Sequence, residues 1–270
     1  MSGALHVIKR DSITVFMSDA LMKDKSTHLN IEENSIAGGK WRMDRSPALL
    51  NQQMNAQDFL DVWQKKGDEG INDFYGDFIF FYFDIKTKSL SLCRDQIGVI
   101  PLYFYRSPDY MVFSNSLKAV KDIVGERYLD EDKYWWTTHF LDYKNDLTGT
   151  YFQQIRMIPP GEIGFFTPVH QELRSYYSLK NKPKHLYTKE SDYYERFHEL
   201  LSRAVINRMD SNGPTGVELS GGLDSSSIAA IASKHQNIYS FSNVFLRKIR
   251  RFMAKGCMMK VSILIRLWNF

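Results

Sequence analysis

Apolar residues in the first two-thirds of the chain follow the short runs and alternations that predict β-strands. The run from Phe78 to Phe83 is too continuously apolar for a half-exposed strand and predicts a buried one. SLSLC follows after a short turn and predicts its partner strand. LYFY and YMVFS predict a second pair, and IRMIPPGEIGFF predicts two strands joined by a Pro-Pro-Gly turn.

Helical spacing occurs in a few segments between these strands. AQDFLDVWQKK places Phe59, Leu60, Val62 and Trp63 near helical spacing, and SLKAVKDI and DEDKYWWTTHFL also favour helices. Residues 34–55 are polar and contain glycine, so we expect a loop there. Antiparallel strands mixed with helices in this way predict an α+β domain.

The last third of the chain has a different organisation. A charged, proline-containing linker is predicted at 181–190, and a long amphipathic helix follows it with Ser191 or Asp192 as its N-cap. Strand, glycine turn, helix and strand then follow each other, as at the start of a parallel α/β sheet. We therefore predict domains at 1–180 and 191–245, with a basic tail at 246–270.

The formal net charge of +4 comes from that tail. The last 25 residues carry seven Lys or Arg and no Asp or Glu, and without them 28 basic residues face 31 acidic ones, a net charge of −3. A basic balance confined to one segment is weak support for a nucleic-acid surface on the body of the protein. We expect no nucleic-acid partner.

Cysteine usage and hydropathy bear on the compartment. Cys93 and Cys257 lie far apart and form no CxxC pair, which favours a reducing cytoplasm. The N-terminus has no apolar signal region, and no window approaches 18 uninterrupted apolar residues. We expect a cytoplasmic protein without a membrane partner.

The stretch GVELSGGLDSSSIAA, residues 216–230, is the candidate anion-binding site of the sequence. Ligands of open α/β sheets bind beyond the carboxyl ends of the strands, where the amides of a following helix favour anions. Gly221 and Gly222 let backbone approach a phosphate, and nearby serines add hydroxyl donors. Asp224 would repel a phosphate unless a cation lay between them, which suggests Mg²⁺. A plain Gly-Gly turn with a serine N-cap is the alternative.

Longer segments resemble a known family. LSGGLDSSSIAAIAS resembles the pyrophosphate loop of N-type ATP pyrophosphatases, and of the asparagine synthetase family within them. GDFIFFYFD, SLCRDQIGVIPLYFY and MVFSNSLKAV resemble the second half of that family's glutaminase domain, and YFQQIRMIPPGE the segment that closes it. The resemblance runs from about residue 70 to residue 242. It implies an α+β Ntn-hydrolase-like glutaminase domain, with two antiparallel sheets between helices, followed by the start of an α/β ATP pyrophosphatase domain.

The resemblance also implies an activity and its residues. The family joins amides with ATP and Mg²⁺: a carboxylate, small-molecule or peptide, is adenylated, and ammonia or an amine displaces AMP. By position, Asp224 would bind Mg²⁺, Asp95 would hold the amino group of glutamine, and Gly76 and Asp77 would fall in the family's Asn-Gly-Glu motif. ATP would be held by Leu219, Ser220, Gly221, Gly222, Leu223, Asp224, Ser225 and Ser226. A homodimer is one alternative for the assembly of the protein.

Departures from the family concentrate in the glutaminase chemistry. Ser2 stands where the family has its cysteine nucleophile, Tyr75 replaces the Asn of Asn-Gly-Glu, and Asp77 replaces the Glu. We therefore expect the first domain to be inactive as a glutaminase. The same profile is typical of glutaminase-dead relatives such as β-lactam synthetases and lasso-peptide cyclases. A non-catalytic remnant is the remaining alternative.

The resemblance stops near Phe245. We interpret the chain as an N-terminal fragment of the family pattern. The basic tail is interpreted as translation in a shifted frame or as a fused gene fragment, and a natural short variant is the alternative.

Overall fold

The computed structural model of the chain describes residues 5–9, 12–16, 27–43, 56–125, 131, 134, 146–178, 187–209, 213–244 and 261–267. They group into two compact units, Met1–Lys182 and Pro183–Phe270. The boundary between these units lies within the segment 181–190, where the sequence predicts a linker.

The first unit is rich in strands. Its described elements are β1 (Leu5–Lys9), β2 (Ser12–Phe16), β3 (Thr27–Ile31), β4 (Ser35–Met43), α1 (Ala56–Lys66), a 3₁₀ helix (Gly67–Asp73), β5 (Gly76–Asp84), β6 (Ser89–Arg94), β7 (Tyr103–Arg106), β8 (Tyr110–Ser114), α2 (Leu117–Val124), β9 (Arg156–Met157), β10 (Glu162–Phe166) and β11 (Gln171–Ser175). The strands and helices predicted from 56–66, 78–124 and 155–166 are confirmed. The helix predicted from DEDKYWWTTHFL lies almost wholly outside the described residues.

The strands form two antiparallel sheets. One has the order β11-β10-β6-β5-β4-β3, and the other has the order β2-β1-β8-β7-β9. β5 carries the run Phe78–Phe83 and is paired along both edges, with β4 and with β6. Its nearly continuous apolar sequence reflects burial on both faces.

β4 corrects the expectation of a loop over residues 34–55. Residues 35–43 form a strand that pairs with β5 along its whole length. A Cβ built on Gly39 would lie 2.0 Å from the carbonyl oxygen of Ile79 in β5. Glycine at this position therefore permits close contact between the strands, although it reads as a loop signal in the sequence.

Three apolar layers show how the first unit is stacked. Between the sheets, Phe81 meets Phe113 with ring centroids 5.2 Å apart, and Phe104 meets Phe166 at 5.1 Å. α1 covers the outer face of the six-stranded sheet, and α2 covers the outer face of the five-stranded one. The expected arrangement of two antiparallel sheets between helices is confirmed.

α2 shows why its sequence forms a helix with defined ends. The hydroxyl of Ser116 accepts the amide of Ala119 at 3.3 Å and so caps the first turn. Gly125 ends the helix in the left-handed region, at φ +70°.

The second unit contains α3 (Glu190–Asn207), β12 (Thr215–Glu218), α4 (Leu223–Ser233), β13 (Ile238–Val244) and β14 (Val261–Leu267). β12 and β13 are parallel, with α4 as the crossover between them. The described core joins both helices to this sheet through Val205, Ala229, Ile231, Ala232 and Ile238. The predicted N-cap at Ser191 or Asp192 is wrong, because α3 begins at Glu190, after Lys189.

Part of the basic tail joins this sheet. β14 pairs antiparallel with β13, from Ile238↔Leu267 to Val244↔Val261. The described part of the tail is thus an edge strand, which the charge pattern gave no reason to expect.

Candidate functional site

The glycine joint, residues 219–222, links the carboxyl end of β12 to the first turn of α4. Gly221 has φ +85°, and a Cβ added there would have nothing within 4 Å. Glycine is therefore required by backbone conformation and not by crowding.

Two serine hydroxyls converge on this joint. The Oγ atoms of Ser220 and Ser225 lie 3.0 Å apart, and the amide of Ser220 donates to Ser225 Oγ at 3.3 Å. Ser225 also donates to the carbonyl of Gly222 at 3.2 Å. The structure therefore brings Ser220, Gly222 and Ser225 into contact, and their assignment to ATP stays a prediction.

The start of the joint is fixed by β13. The amide of Leu219 donates to the carbonyl of Phe241 at 2.8 Å, and Ser242 Oγ donates to the carbonyl of Leu219 at the same distance. Sequence reasoning missed Ser242, because it follows the motif by 16 residues and lies in an ordinary strand pattern. A polar residue within the second parallel strand, close to where the first one ends, was the available signal.

Other residues of the predicted loop are exposed. Leu223 is 88% exposed, and Asp224 and Ser226 also face solvent in the first turn of α4. Among the described residues no group of three or more His, Cys, Asp or Glu side chains could hold a metal ion. The assignment of Asp224 to Mg²⁺ therefore stays a prediction.

In the first unit, the predicted residues Gly76 and Asp77 begin β5. Gly76 pairs with Met43 and Asp77 with Arg42, at the end of β4. Arg42 donates to the Asp77 carboxylate at 2.6 Å, and the Asp77 side chain is only 13% exposed. The sequence gave no warning of this ion pair, because its partners are 35 residues apart.

Tyr75 precedes this pair and is largely exposed. Ser2 lies outside the described residues. The assignment of Tyr75, Gly76 and Asp77 to a glutamine site therefore stays a prediction.

Asp95 is buried, at 1% exposure, and its carboxylate faces its own loop. Oδ1 accepts the amides of Ile97, Gly98 and Val99 at 2.6–3.1 Å, and Oδ2 accepts that of Ile100 at 3.3 Å. Such a set of bonds satisfies the buried carboxylate oxygens within their own loop. These contacts give Asp95 a structural role, and its assignment to the amino group of glutamine stays a prediction.

Arg94 completes this loop from the other side. Its guanidinium donates to the carbonyls of Gly98, Ile100 and Ile158 at 2.6–2.9 Å, and burial lowers its pKa. Gly98 has φ +76°, and a Cβ there would lie 2.7 Å from the Pro160 side chain. The sequence Arg-Asp-x-x-Gly therefore forms a tight connection between β6 and the Pro-Pro-Gly turn.

Cys93 lies at the end of β6 and is fully buried. Burial raises the pKa of its thiol well above the ordinary value. Tyr176 donates its hydroxyl to the carbonyl of Arg94 at 2.7 Å, and burial raises its pKa as well. Cys93 is therefore a core residue of the layer between α1 and the six-stranded sheet.

The chain matches two family models in sequence order. The glutamine amidotransferase domain model matches residues 49–177, and the asparagine synthase model matches residues 196–254. A probable asparagine synthetase [glutamine-hydrolyzing] of Dictyostelium discoideum is 29% identical over 213 residues, 77% of this chain and 32% of that protein. The chain belongs to the asparagine synthetase family. Its first unit has the Ntn-type glutamine amidotransferase fold, and a short asparagine synthase segment follows.

Other members of the asparagine synthetase family match over similar stretches. The asparagine synthetase of Zea mays is 30% identical over 71% of this chain and 28% of its own length. A putative asparagine synthetase of Methanocaldococcus jannaschii is 32% identical over 64% of this chain and 34% of its own length. The chain thus spans about a third of these relatives or less.

A solved glutamine phosphoribosylpyrophosphate amidotransferase from B. subtilis, complexed with ADP and GMP, covers 98% of this chain and 66% of its own, with a TM-score of 0.40 at 11% identity. A score this low carries no argument about the fold.

Within the described part of the chain, no helix has the length and hydrophobicity needed to cross a bilayer.

Proposed function

We propose that residues 219–226 bind the phosphates of ATP in an amide-forming ligase reaction of the asparagine synthetase type. The observation that carries this proposal is the glycine joint between a parallel strand and α4, where two serine hydroxyls meet in a loop that contains a glycine with positive φ. Backbone amides at such a helix start attract anions. No other residue crowds the position that a Cβ of Gly221 would take.

The residues fit the phosphates better than they fit a carboxylate. Ser220 and Ser225 supply two hydroxyls, and the exposed first turn of α4 adds main-chain donors beside them. Several donors spread over one loop match the several oxygens of a pyrophosphate group. Asp224 carries a negative charge at the same turn and would bind Mg²⁺ held by those oxygens.

In the proposed reaction, ATP supplies the energy to activate a carboxylate. The carboxylate oxygen bonds to the α-phosphorus as pyrophosphate leaves, and an amine then takes the acyl group as AMP leaves. In this chain, Ser220 and Ser225 would hold the pyrophosphate portion and orient it for departure. The carboxylate is a small molecule or a peptide.

The second candidate function is a ligase whose substrate, and not glutamine, supplies the amine. Two features of the first unit favour it. Asp95 is bonded to its own loop, and Ser2 replaces the nucleophilic cysteine that glutamine hydrolysis uses in the family. A reaction in which the substrate supplies its own amine needs no ammonia. One relative, 29% identical over 64% of this chain, has the name Amidase chry2, from Gibberella zeae.

The loop can be tested with the chain as it is. We would titrate magnesium pyrophosphate into the protein by calorimetry and expect a Kd of about 1 mM, roughly −4 kcal/mol. Gly221→Ala should weaken binding about tenfold, because alanine disfavours φ +85° and would reshape the loop. Asp224→Ala should weaken binding only when Mg²⁺ is present.

Gly125→Ala is the matched control. Gly125 has φ +70° and nothing within 4 Å of an added Cβ, so the strain is similar, but it caps α2 in the other unit. We expect it to bind pyrophosphate as the parent chain does. Equal binding by Gly221→Ala and the parent, or no binding by the parent, would contradict the proposal.

A further inference from the structure

The peptide group between Leu219 and Ser220 is held at both ends. Its carbonyl accepts a hydrogen bond from Ser242 Oγ at 2.8 Å, and its N–H donates to Ser225 Oγ at 3.3 Å. One bond comes from β13, one residue beyond its register with β12, and the other comes from the first turn of α4. The Leu219–Ser220 peptide lies one residue before Gly221, where the backbone adopts φ +85°.

Main-chain hydrogen bonds hold only the residues that precede this peptide group. The amide of Leu219 donates to the carbonyl of Phe241 at 2.8 Å, and the parallel register of β12 and β13 is defined up to Glu218↔Phe241. Beyond this register, the Leu219 carbonyl is bonded through a side chain, that of Ser242. Without that bond, only the longer contact of the Ser220 N–H with Ser225 Oγ would restrain rotation of the peptide plane after Leu219.

Rotation of this plane would move the groups that the proposed function uses. Ser220 follows the plane directly, and its N–H and Oγ both contact Ser225 Oγ. The amide of Gly222 in turn donates to Ser220 Oγ at 3.4 Å. A change at Leu219 would therefore reach both hydroxyls and the glycine amides of the joint.

We propose that Ser242 is a positioning residue for the glycine joint, because its hydroxyl locks the Leu219–Ser220 peptide and so fixes where the loop donors point. Ser242 itself touches no phosphate and acts through Leu219. Its importance for phosphate binding rests on the proposed function, whereas its effect on the loop does not.

The first test needs no ligand. The full chain is labelled with ¹⁵N-glycine, and the amide resonances of Gly221 and Gly222 are compared among variants. Ser242→Ala should shift both resonances, and Ser242→Thr, which keeps the hydroxyl, should return them toward the parent positions. Unchanged resonances in Ser242→Ala would overturn the proposal.

Ser233→Ala is a matched control for the loss of a hydroxyl. Ser233 Oγ donates to the carbonyl of Ala230 at 3.1 Å, at the opposite end of α4 from the joint. Its removal should leave Gly221 and Gly222 unshifted, and an equal shift there would count against Ser242. If Ser242→Ala disrupts the second unit, Ser242→Val against Ser242→Thr compares two side chains of the same shape, with and without the hydroxyl.

A titration with magnesium pyrophosphate separates this inference from the proposed function. We expect Ser242→Ala to bind about tenfold more weakly than the parent, as the loss of one positioning bond implies, and Ser242→Thr to recover binding. If the parent does not respond to pyrophosphate, the proposed function fails, and the ligand-free resonances still decide the role of Ser242. Parent-like binding by Ser242→Ala would overturn its positioning role.

Discussion

Aromatic rings fill the first unit, whereas the second unit leaves aromatic rings in solvent. Phe80 is 1% exposed and stacks on Phe59, with ring centroids 4.1 Å apart, in the layer between α1 and the six-stranded sheet. In α3 of the second unit, Phe197 is 65% exposed and Tyr194 is also exposed. The described core of the second unit consists mainly of alanine, valine and isoleucine.

The chemistry is distributed in the opposite way. The well-packed first unit carries Ser2 in place of a nucleophilic thiol, and its Asp95 is bonded to its own loop. The thinly packed second unit retains Gly221 with its positive φ and the two converging hydroxyls. The densest packing and the proposed phosphate site therefore lie in different units of this chain.

The comparison would break most clearly if the first unit hydrolysed glutamine. We predict no measurable release of glutamate, because a serine hydroxyl keeps its proton at neutral pH, whereas a cysteine is partly ionised and more nucleophilic. Loss of an oxyanion donor at Tyr75 would cost a further factor of about 10²–10³. Glutamate release by the purified chain is the measurement.

Two variants at Ser2 make this prediction decisive. Activity gained only in Ser2→Cys would show that the pocket survives and that the thiol was missing. Turnover in the parent that disappears in Ser2→Ala would prove the prediction wrong, since a serine with its own α-amino group as base would then be the nucleophile.

Core truncation should separate the two units by stability. We predict that Phe80→Ala lowers the free energy of unfolding of the first unit by about 3–5 kcal/mol, because it leaves a cavity beside Phe59 and Phe78. Phe197→Ala should change that of the second unit by less than about 0.5 kcal/mol. Hydrogen exchange in increasing urea, resolved by peptide, measures each unit separately. Similar losses for the two variants would remove the contrast in packing.

Asp95 tests whether a buried carboxylate in the first unit serves structure. Asp95→Ala leaves four amides of its loop without their acceptor, and we predict a loss of about 3 kcal/mol in the free energy of unfolding. Asp146→Ala is the control, because Asp146 also accepts neighbouring amides but is exposed, and it should cost about 1 kcal/mol or less. Equal costs would mean that burial of the Asp95 loop adds nothing.

Glu162 gives the smallest expected effect and a pH dependence. Burial raises the pKa of its carboxyl, so the folded state binds this proton more tightly than the unfolded state. The contribution of Glu162 to stability therefore falls as the pH rises through about 4.5 and above. Glu162→Gln should raise the thermal midpoint slightly at pH 7 and leave it unchanged at pH 3. A rise at pH 3 alone would reverse the sign we derive.

The sequence predicted most elements whose apolar pattern is local. β5, β6 and α2 lie where their patterns place them. β4 was missed, because its glycines are explained only by the close approach of Ile79 on another strand. Contacts across 40 residues leave no local pattern.

The candidate site follows the same division. The glycine joint was predictable, since strand, glycines and helix are adjacent in the chain. The hydrogen bond from Ser242 to the Leu219 carbonyl was not predictable, because the two residues are 23 positions apart and only strand pairing brings them together. For Asp95, the sequence indicated a charged residue in a motif but could not show that its oxygens are turned toward the amides that follow it.

The buried thiol of Cys93 can report the opening of the first unit. A disulfide reagent needs an accessible thiolate, and the native packing withholds both access and ionisation. With Cys257 replaced by serine, Cys93 is the sole thiol in the chain. The rate at which the reagent modifies Cys93 then measures how often the packed layers separate. The measurement needs no attached probe and has no contribution from the second unit.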